Sequence, residues 1–379
     1  MRARDPVSEG LDVSVIVPAR NEEACLGACL QSLASQAGVN FEIIVVDDGS
    51  TDRTAEIARS FHGVRVVSPG PLAPGWTGKN NALVAGAKEA RGEWLLFTDA
   101  DTAHRAGSLA RSMSEVRERG VALLSYSPEQ EVHGIWEKAV MPVIFAELAS
   151  TYRPSEVSDP ASPAAAANGQ YILISREAYD EVGGHTAVAT SLLEDVALAR
   201  AVKVSGRKIF FRYGGDAVRT RMYRSLAQLR EGWTKNLALL FRSPMQLALL
   251  RLTEFVLIVG SVAMAVVAGV AGRSQTSAAI GVLSVILLGF LLKRIRKAHS
   301  SWDANCLVLI GLPVFSYLLV RSRIAYWKGS VSWKGRQYAA NSEFAMSDEV
   351  VTGRSHDRSH EPGATSTRTA SPQGQTWST

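Results

Sequence analysis

Short apolar runs alternate with amphipathic stretches along the first hundred residues. Val13 to Val17 is an apolar run closed by Pro18, which predicts a buried strand ended by a residue that cannot extend the ladder. Asn21, Glu22 and Glu23 then open an amphipathic stretch that predicts a helix to about Ala37, capped by Asn21 and carrying acids in its first turn. Phe41 to Val46 predicts a second strand, a helix follows from about Asp52 to Phe61, and Val64 to Val67 supplies a third strand. Ser68 to Gly78, rich in Pro and Gly, reads as a loop, Lys79 to Arg91 as a helix and Trp94 to Phe97 as a strand. This alternation predicts an α/β fold with a mostly parallel central sheet covered by helices on both faces. Ligands of such sheets bind at the carboxyl ends of the strands, so the polar groups after Val17, Val46 and Phe97 should share one edge.

The second half is less regular. Gly134 to Leu148 predicts a partly apolar helix, Arg153 to Ala167 a Pro/Ala/Ser-rich linker or mobile loop, Tyr171 to Ile174 a strand and Leu192 to Val204 a helix. Three apolar stretches follow, at about Leu247 to Ala271, Ser277 to Leu292 and Ala304 to Val320. The first is long enough to cross a bilayer; the others are near the lower limit, and the third contains Pro313. A buried helical hairpin is the alternative, but the clustering and the basic flanks favour a membrane. Three full spans would put Arg321, Arg323, Lys328, Lys334 and Arg336 on the far side, against the positive-inside tendency, unless one segment is re-entrant or interfacial. The expected organisation is a polar tail (1–12), an α/β domain (13–240), apolar helices (247–322), a basic juxtamembrane segment (323–340) and a disordered tail (341–379).

Composition refines this picture. At 379 residues a catalytic domain plus an appendage is the natural organisation. The net charge of +5 gathers where the chain becomes apolar, as at Lys293, Arg294, Arg296 and Lys297, which suits a membrane surface better than nucleic acid. Cys25, Cys29 and Cys306 form no CxxC pair, so neither a disulfide framework nor a zinc site is expected. Met1 to Asp12 lacks the apolar core of a secretory signal, which predicts a cytosolic first domain on a multi-pass protein of the cell membrane.

Three strand exits carry candidate chemistry. Pro18, Ala19, Arg20 and Glu22 lie on a sharp turn whose backbone N–H groups can meet a nucleotide base or phosphate. Asp48 can accept from a base imide or a ribose hydroxyl, or simply form an Asx turn with Asp47 and Gly49. Asp99 and Asp101, two carboxylates at i and i+2 after an apolar strand, suit oxygen ligation of Mg²⁺ or Mn²⁺ bridging a diphosphate. Glu194 and Asp195 read by themselves as acids complementing a helix dipole.

The motifs PARNEE, DDGSTD, GWTGKNNA and DAD, in this order and spacing, resemble a family-2 glycosyltransferase with a GT-A type nucleotide-sugar domain. Asn168-Gly169-Gln170, Gly183-Gly184-His185 and Glu194-Asp195 resemble the acceptor-side elements of those enzymes. The resemblance implies donor contacts from Pro18, Ala19, Arg20, Glu22, Asp48, Lys79 and Asp99, a metal at Asp101 and a catalytic base at Asp195. Gly169, Glu194 and Trp233 would then lie on the acceptor side, Trp233 either stacking on the acceptor or anchoring at the membrane. Where many relatives carry QxxRW, this chain has Gln228-Leu229-Arg230-Glu231-Gly232-Trp233, which disfavours processive synthesis. RMYRSLAQLREGWTKN and WKGRQY resemble the membrane-proximal motifs of bacterial carotenoid-acid glycosyltransferases of the 4,4'-diaponeurosporenoate type, with hopanoid-associated enzymes also similar. The implied activity is inverting, metal-assisted transfer of one sugar from a nucleotide-diphosphate sugar, expected to be a UDP-hexose, to a lipid or carotenoid-like acceptor. A polysaccharide synthase and a non-catalytic nucleotide-sugar-binding scaffold are the other readings.

Overall fold

The computed structural model describes residues 11–333 and 335–338, so the tail expected to be disordered lies outside the described residues. In chain order the first elements are β1 (Val13–Ala19), α1 (Leu26–Ala34), β2 (Phe41–Asp47), α2 (Thr54–Ser60), β3 (Val64–Val67), α3 (Gly78–Glu89) and β4 (Trp94–Phe97). Next come β5 (Thr102–His104), α4 (Ser108–Arg119), β6 (Leu123–Ser127), β7 (Glu129–Gln130), α5 (Ile135–Thr151), α6 (Pro154–Ser158) and β8 (Ile172–Ser175). After α7 (Arg176–Glu181), α8 (Gly184–Ala187), α9 (Glu194–Val204), β9 (Ile209–Tyr213) and β10 (Val218–Thr220), the helix α10 (Leu226–Leu240) leads to the apolar region. That region holds α11 (Pro244–Val270), α12 (Ser274–Ile295), α13 (Trp302–Asn305) and α14 (Val308–Trp327), and a hairpin of β11 (Val331–Trp333) and β12 (Arg336–Tyr338) follows.

The central sheet has seven strands in the order β3-β2-β1-β4-β8-β6-β9. Neighbours are parallel except at β8, which runs antiparallel to both β4 and β6. β1 is buried on both faces because its side chains alternate between two cores. Val13, Val15 and Val17 pack with Leu26, Leu30 and Leu33 of α1 on one side, while Ile16 packs with Leu83 and Ala87 of α3 on the other. Gly86 is what lets α3 settle so close, since a Cβ there would lie 2.9 Å from Val46 Cγ2.

Register brings the strand exits together. Ala19 pairs with Asp47 and Ile16 with Phe97, so Arg20, Asp48 and Thr98 to Asp101 all leave the sheet on the same edge. Pro18 does not end β1; it pairs with Val46 on the β2 side. On the β4 side pairing ends at Ile16 and Phe97, so the missing N–H of Pro18 interrupts no ladder there. Asn21 is not a helix cap either. It takes a left-handed φ of 54°, and its Oδ1 accepts from Thr51 N at 2.8 Å, bracing one exit turn against the next. Residues 153–167 differ from the mobile loop expected: Val157, Ala166 and Ala167 are buried against the sheet, and Lys203 Nζ donates to the carbonyls of Val157 and Ala164.

A third core joins the domain to the apolar helices. Val140, Val143 and Ile144 of α5 pack with Trp233 and Leu237 of α10 and with Leu312, Phe315 and Leu319 of α14. A Cβ at Gly311 would collide with the Ala139 carbonyl, so α14 lies directly on α5. Among the described residues three helices are long and apolar enough to cross a membrane, but only 11% and 17% of the most apolar windows of the first two are buried, against 50% for α14.

Candidate functional site

The converging strand exits form one wall of a cavity of about 770 Å³. Every residue singled out from the sequence as a donor, metal, base or acceptor-side residue lies on the wall of this cavity, across chain positions from Pro18 to Trp233.

Lys79 stands at its centre. Thr77 caps α3 by accepting from Asn80 N at 3.1 Å, which fixes the first helical turn and the direction of the Lys79 side chain. Its Nζ lies 2.8 Å from Asp99 Oδ1 and 2.8 Å from Glu194 Oε1, tying the β4 exit to the start of α9. Burial alone would lower the Lys79 pKa, but the two carboxylates outweigh it and hold the ammonium well above its usual range. Glu194 is correspondingly lowered: burial opposes ionisation, and Lys79 more than offsets it. Asp195 goes the other way. Burial and the neighbouring Glu194 push it up to about 6, although Lys79 and N–H groups from Gly169 and Val196 favour its charged form. Its Oδ2 accepts from Gly169 N at 2.9 Å. Two adjacent acids thus have their ionisation driven in opposite directions, an arrangement suited to a base working near neutral pH.

Gly169 is where the chain passes closest to this group. A Cβ there would stand 3.1 Å from Lys79 Nζ, 3.4 Å from Glu194 Oε1 and 3.6 Å from Asp195 Oδ2.

At the sheet edge, Asp48 N donates to Ala19 O at 2.9 Å and the Arg20 guanidinium bonds the Asp48 carbonyl. Glu22 N donates to Thr54 Oγ1 at 2.7 Å. Thr102 Oγ1 donates to Asp99 O at 2.7 Å, and Thr220 Oγ1 to Asp101 O at 3.2 Å, so both ends of the DAD turn are anchored. Among the described residues no group of three or more His, Cys, Asp or Glu could hold a metal alone. Mg²⁺ and Mn²⁺ need only one or two carboxylates, the rest of their shell coming from substrate phosphates and water. Asp99 and Asp101 are the hard oxygen donors available at the turn.

Three positions depart from the sequence reading. Trp233 is neither an open stacking platform nor an interfacial anchor. It is 2% exposed, its ring meets the edges of Phe145 and Tyr223, and Nε1 points at Met141 Sδ. It packs α10 onto α5 and only borders the cavity. His185 of the Gly183-Gly184-His185 element is buried between Phe97 and Tyr179, bonded to the Tyr179 hydroxyl at 3.1 Å. Burial drives its pKa down to about 4, so it is a neutral packing group behind β4. Asn80, quoted within a motif but given no role, has Nδ2 3.0 Å from each of the carbonyl oxygens of Val188, Ala189 and Ser191, which share its two N–H groups and fix the loop that delivers Glu194.

Two cations of the site carry no signal of their own in the sequence. Lys235, from α10, sits in the same electrostatic cluster, its pKa lowered by burial against the pull of Glu194. Arg336, from β12, pairs with Asp48, Nη2 lying 3.0 Å from Oδ1. The cavity wall also carries the apolar side chains of Phe145, Leu148, Tyr152, Met222 and Leu240.

Residues 14–183 match the profile of "Glycosyl transferase family 2". Among known proteins, the 4,4'-diaponeurosporenoate glycosyltransferase of Staphylococcus aureus (strain MRSA252) is 29% identical over 347 residues, covering 87% of this chain and 89% of that one. Looser likenesses include the Pyrobaculum calidifontis mannosyltransferase PcManGT in complex with GDP-Man and Mn²⁺ (17% identity, 85% of this chain and 90% of that one, TM-score 0.48). S. aureus TarS 1-349 in complex with UDP-GlcNAc is another (15% identity, 87% and 99%, TM-score 0.41). With the motifs converging on one edge of a mostly parallel sheet, residues 14–183 form a family 2 glycosyltransferase domain.

Proposed function

We propose that the chain moves one sugar from a nucleoside-diphosphate sugar, a UDP-hexose being the first to test, to a hydroxyl or carboxylate of a lipid drawn from the membrane, with inversion. The observation that supports this reading is the cavity itself, which joins the charged groups at the strand exits to apolar side chains of α5 and the turn after it, Phe145, Leu148 and Tyr152. α5 shares its core with the apolar helices. A soluble donor has polar groups to meet at one end, and a lipid has a dry surface at the other.

Pro18, Ala19, Arg20, Glu22 and Asp48 receive base and ribose, with Lys79 and Asp99 beside the diphosphate. Asp99 and Asp101 would hold a divalent cation, whose charge, when bound, offsets the charge gained by the departing diphosphate. Asp195 takes the proton of an acceptor hydroxyl as the acceptor oxygen forms its bond to the anomeric carbon. The bond to the diphosphate breaks on the opposite face. A group with a pKa of about 6 is mostly ionised at pH 7 and can accept that proton. An acceptor carboxylate is already ionised and needs no base. The related S. aureus protein bears the name of a carotenoid acid, which makes an apolar carboxylic acid one acceptor class to try.

The membrane arrangement follows the same packing. α11 begins and α12 ends on α5: Arg251 Nε and Arg294 Nε each lie 3.0 Å from Glu147 Oε1, as expected of a two-span hairpin whose ends return to the domain. α14 touches the domain at both ends, through Gly311 on Ala139 and through Ser322 Oγ donating to Thr234 O at 2.7 Å. On this reading α14, which also packs along α11, is the segment that stays at the membrane surface. Arg321 Nε donates to Thr234 Oγ1 at 3.1 Å, so the basic segment stays beside the domain and the imbalance of three full spans disappears.

Membranes containing the protein, incubated with a panel of nucleotide sugars and the host's lipid extract, should yield lipids heavier by one sugar. Ladders of added sugars would point to a polysaccharide synthase. The absence of any new glycolipid with every donor would favour the scaffold.

A further inference from the structure

α10 turns two faces to its surroundings. Trp233 and Leu237 pack into the core shared with α5 and α14, and the backbone of Thr234 and Ala238 bonds Ser322 of α14. The other face borders the cavity with Gln228, Glu231, Gly232, Lys235, Asn236 and Leu240, whose spacing of three and four residues puts them in one stripe. A polar stripe on a helix ordinarily meets water. Here it lines the site, and it changes from polar to apolar between Asn236 and Leu240.

Asn236 differs from its neighbours on the stripe in what its side chain meets. Gln228 Oε1 accepts from Arg224 N at 2.9 Å, and Lys235 lies in the field of Glu194 and Asp195. Asn236 Oδ1 is buried and has no hydrogen-bond partner among the described residues. A buried carbonyl oxygen left unbonded is costly, and folded chains keep one chiefly where a ligand or water completes it. What reaches it follows from its position. Leu240, one turn further along α10, accepts at its carbonyl from the Tyr152 hydroxyl at 3.0 Å, and burial together with the charge of Asp195 keeps that hydroxyl protonated. Asn236 therefore stands between two groups that both feel Asp195: Lys235 on the polar part of the wall and Tyr152 on the apolar part.

Resting on the acceptor reading above, we propose that Asn236 binds the reactive group of the acceptor and holds it toward Asp195. A side-chain amide serves both acceptor classes. Its Oδ1 accepts from a hydroxyl, and its Nδ2, brought round by a half-turn of the amide, donates to a carboxylate. Leu240 then meets the first part of the hydrocarbon.

The test uses the full chain in nanodiscs, with the host's lipid extract and the nucleotide sugar varied independently. Asn236→Leu, similar in size and unable to hydrogen-bond, should raise the acceptor concentration needed for half-maximal rate by about 10-fold or more and leave the donor KM within about 3-fold. Asn236→Asp separates the acceptor classes and is assayed well above pH 6, where Asp195 is ionised. The new carboxylate accepts from a hydroxyl but repels another carboxylate. Alkali-stable glycosides should therefore form within about 3-fold of the wild-type rate, whereas alkali-labile glycosyl esters should fall by about 100-fold. Unchanged acceptor saturation in Asn236→Leu, or donor and acceptor constants raised together, would overturn the assignment. So would loss of glycosides, or esters formed at the wild-type rate, in Asn236→Asp. If the wild type forms no glycolipid, the transfer reading itself fails and this inference falls with it.

Discussion

At the donor end of the cavity Arg20, Asp48 and Asp99 each stand within two residues of a strand end, held by the register of three adjoining strands. At the acceptor end Phe145, Leu148, Tyr152 and Leu240 come from α5, from the turn after it and from α10, and their relation to one another is set by helix packing. The first end is polar, braced by backbone hydrogen bonds and filled with opposed charges. The second carries apolar side chains, of which Phe145, Leu148 and Leu240 pack against the core of the apolar helices. Between them lie Lys79, Glu194 and Asp195. A substitution at either end should therefore move the kinetic constant of one substrate, whereas a change at the junction should strike the chemical step.

The largest effect is expected at the junction. Asp195→Asn keeps the size and the contact with Gly169 N but removes the proton acceptor, so kcat for a hydroxyl acceptor should fall by about 10²- to 10⁴-fold with donor binding nearly unchanged. With a carboxylic acid acceptor the loss should be small. Equal losses for both acceptor types would mean that Asp195 acts by position rather than as a base.

A smaller effect should follow from Lys79→Met. Lys79 lowers the Asp195 pKa, so its removal should raise that pKa further. In the wild type the activity toward a hydroxyl acceptor should be present above about pH 6 and fall as pH drops through that value, because Asp195 is pushed up to about 6. In the variant this acid limb should move to higher pH, alongside a fall in kcat/KM of about 10- to 100-fold from the lost charge contacts. A pH–rate profile whose acid limb stays in place would separate Lys79 from Asp195.

The two ends also differ in how far the sequence revealed them. β1, β2 and β4 were legible because a short apolar run closed by a polar turn has few other meanings. Their register then follows from burial on both faces of the sheet. Pro18 and Asn21 misled at the level of single residues: the ladder on one side ends before Pro18, and Asn21 serves a neighbouring turn instead of a helix. Trp233 was harder, because apolar surface on a helix does not say whether lipid, ligand or protein will cover it. The same ambiguity holds for α14, whose length and composition permit a span while it packs on α5 and α10 as well as on α11. Arg336 and Lys235 stood inside quoted motifs, yet nothing local marked either as a site residue. Their roles depend on tertiary contacts with partners such as Asp48, 288 positions away.

The claim that the two ends serve different substrates is tested most directly by filling the apolar end alone. Leu148 is partly buried on the cavity wall, far along the chain from any donor-side residue. Steady-state kinetics of Leu148→Trp, with donor and lipid acceptor varied independently, should show the acceptor KM raised by about tenfold or more and the donor KM unchanged. A raised donor KM with an unaltered acceptor KM would contradict the account.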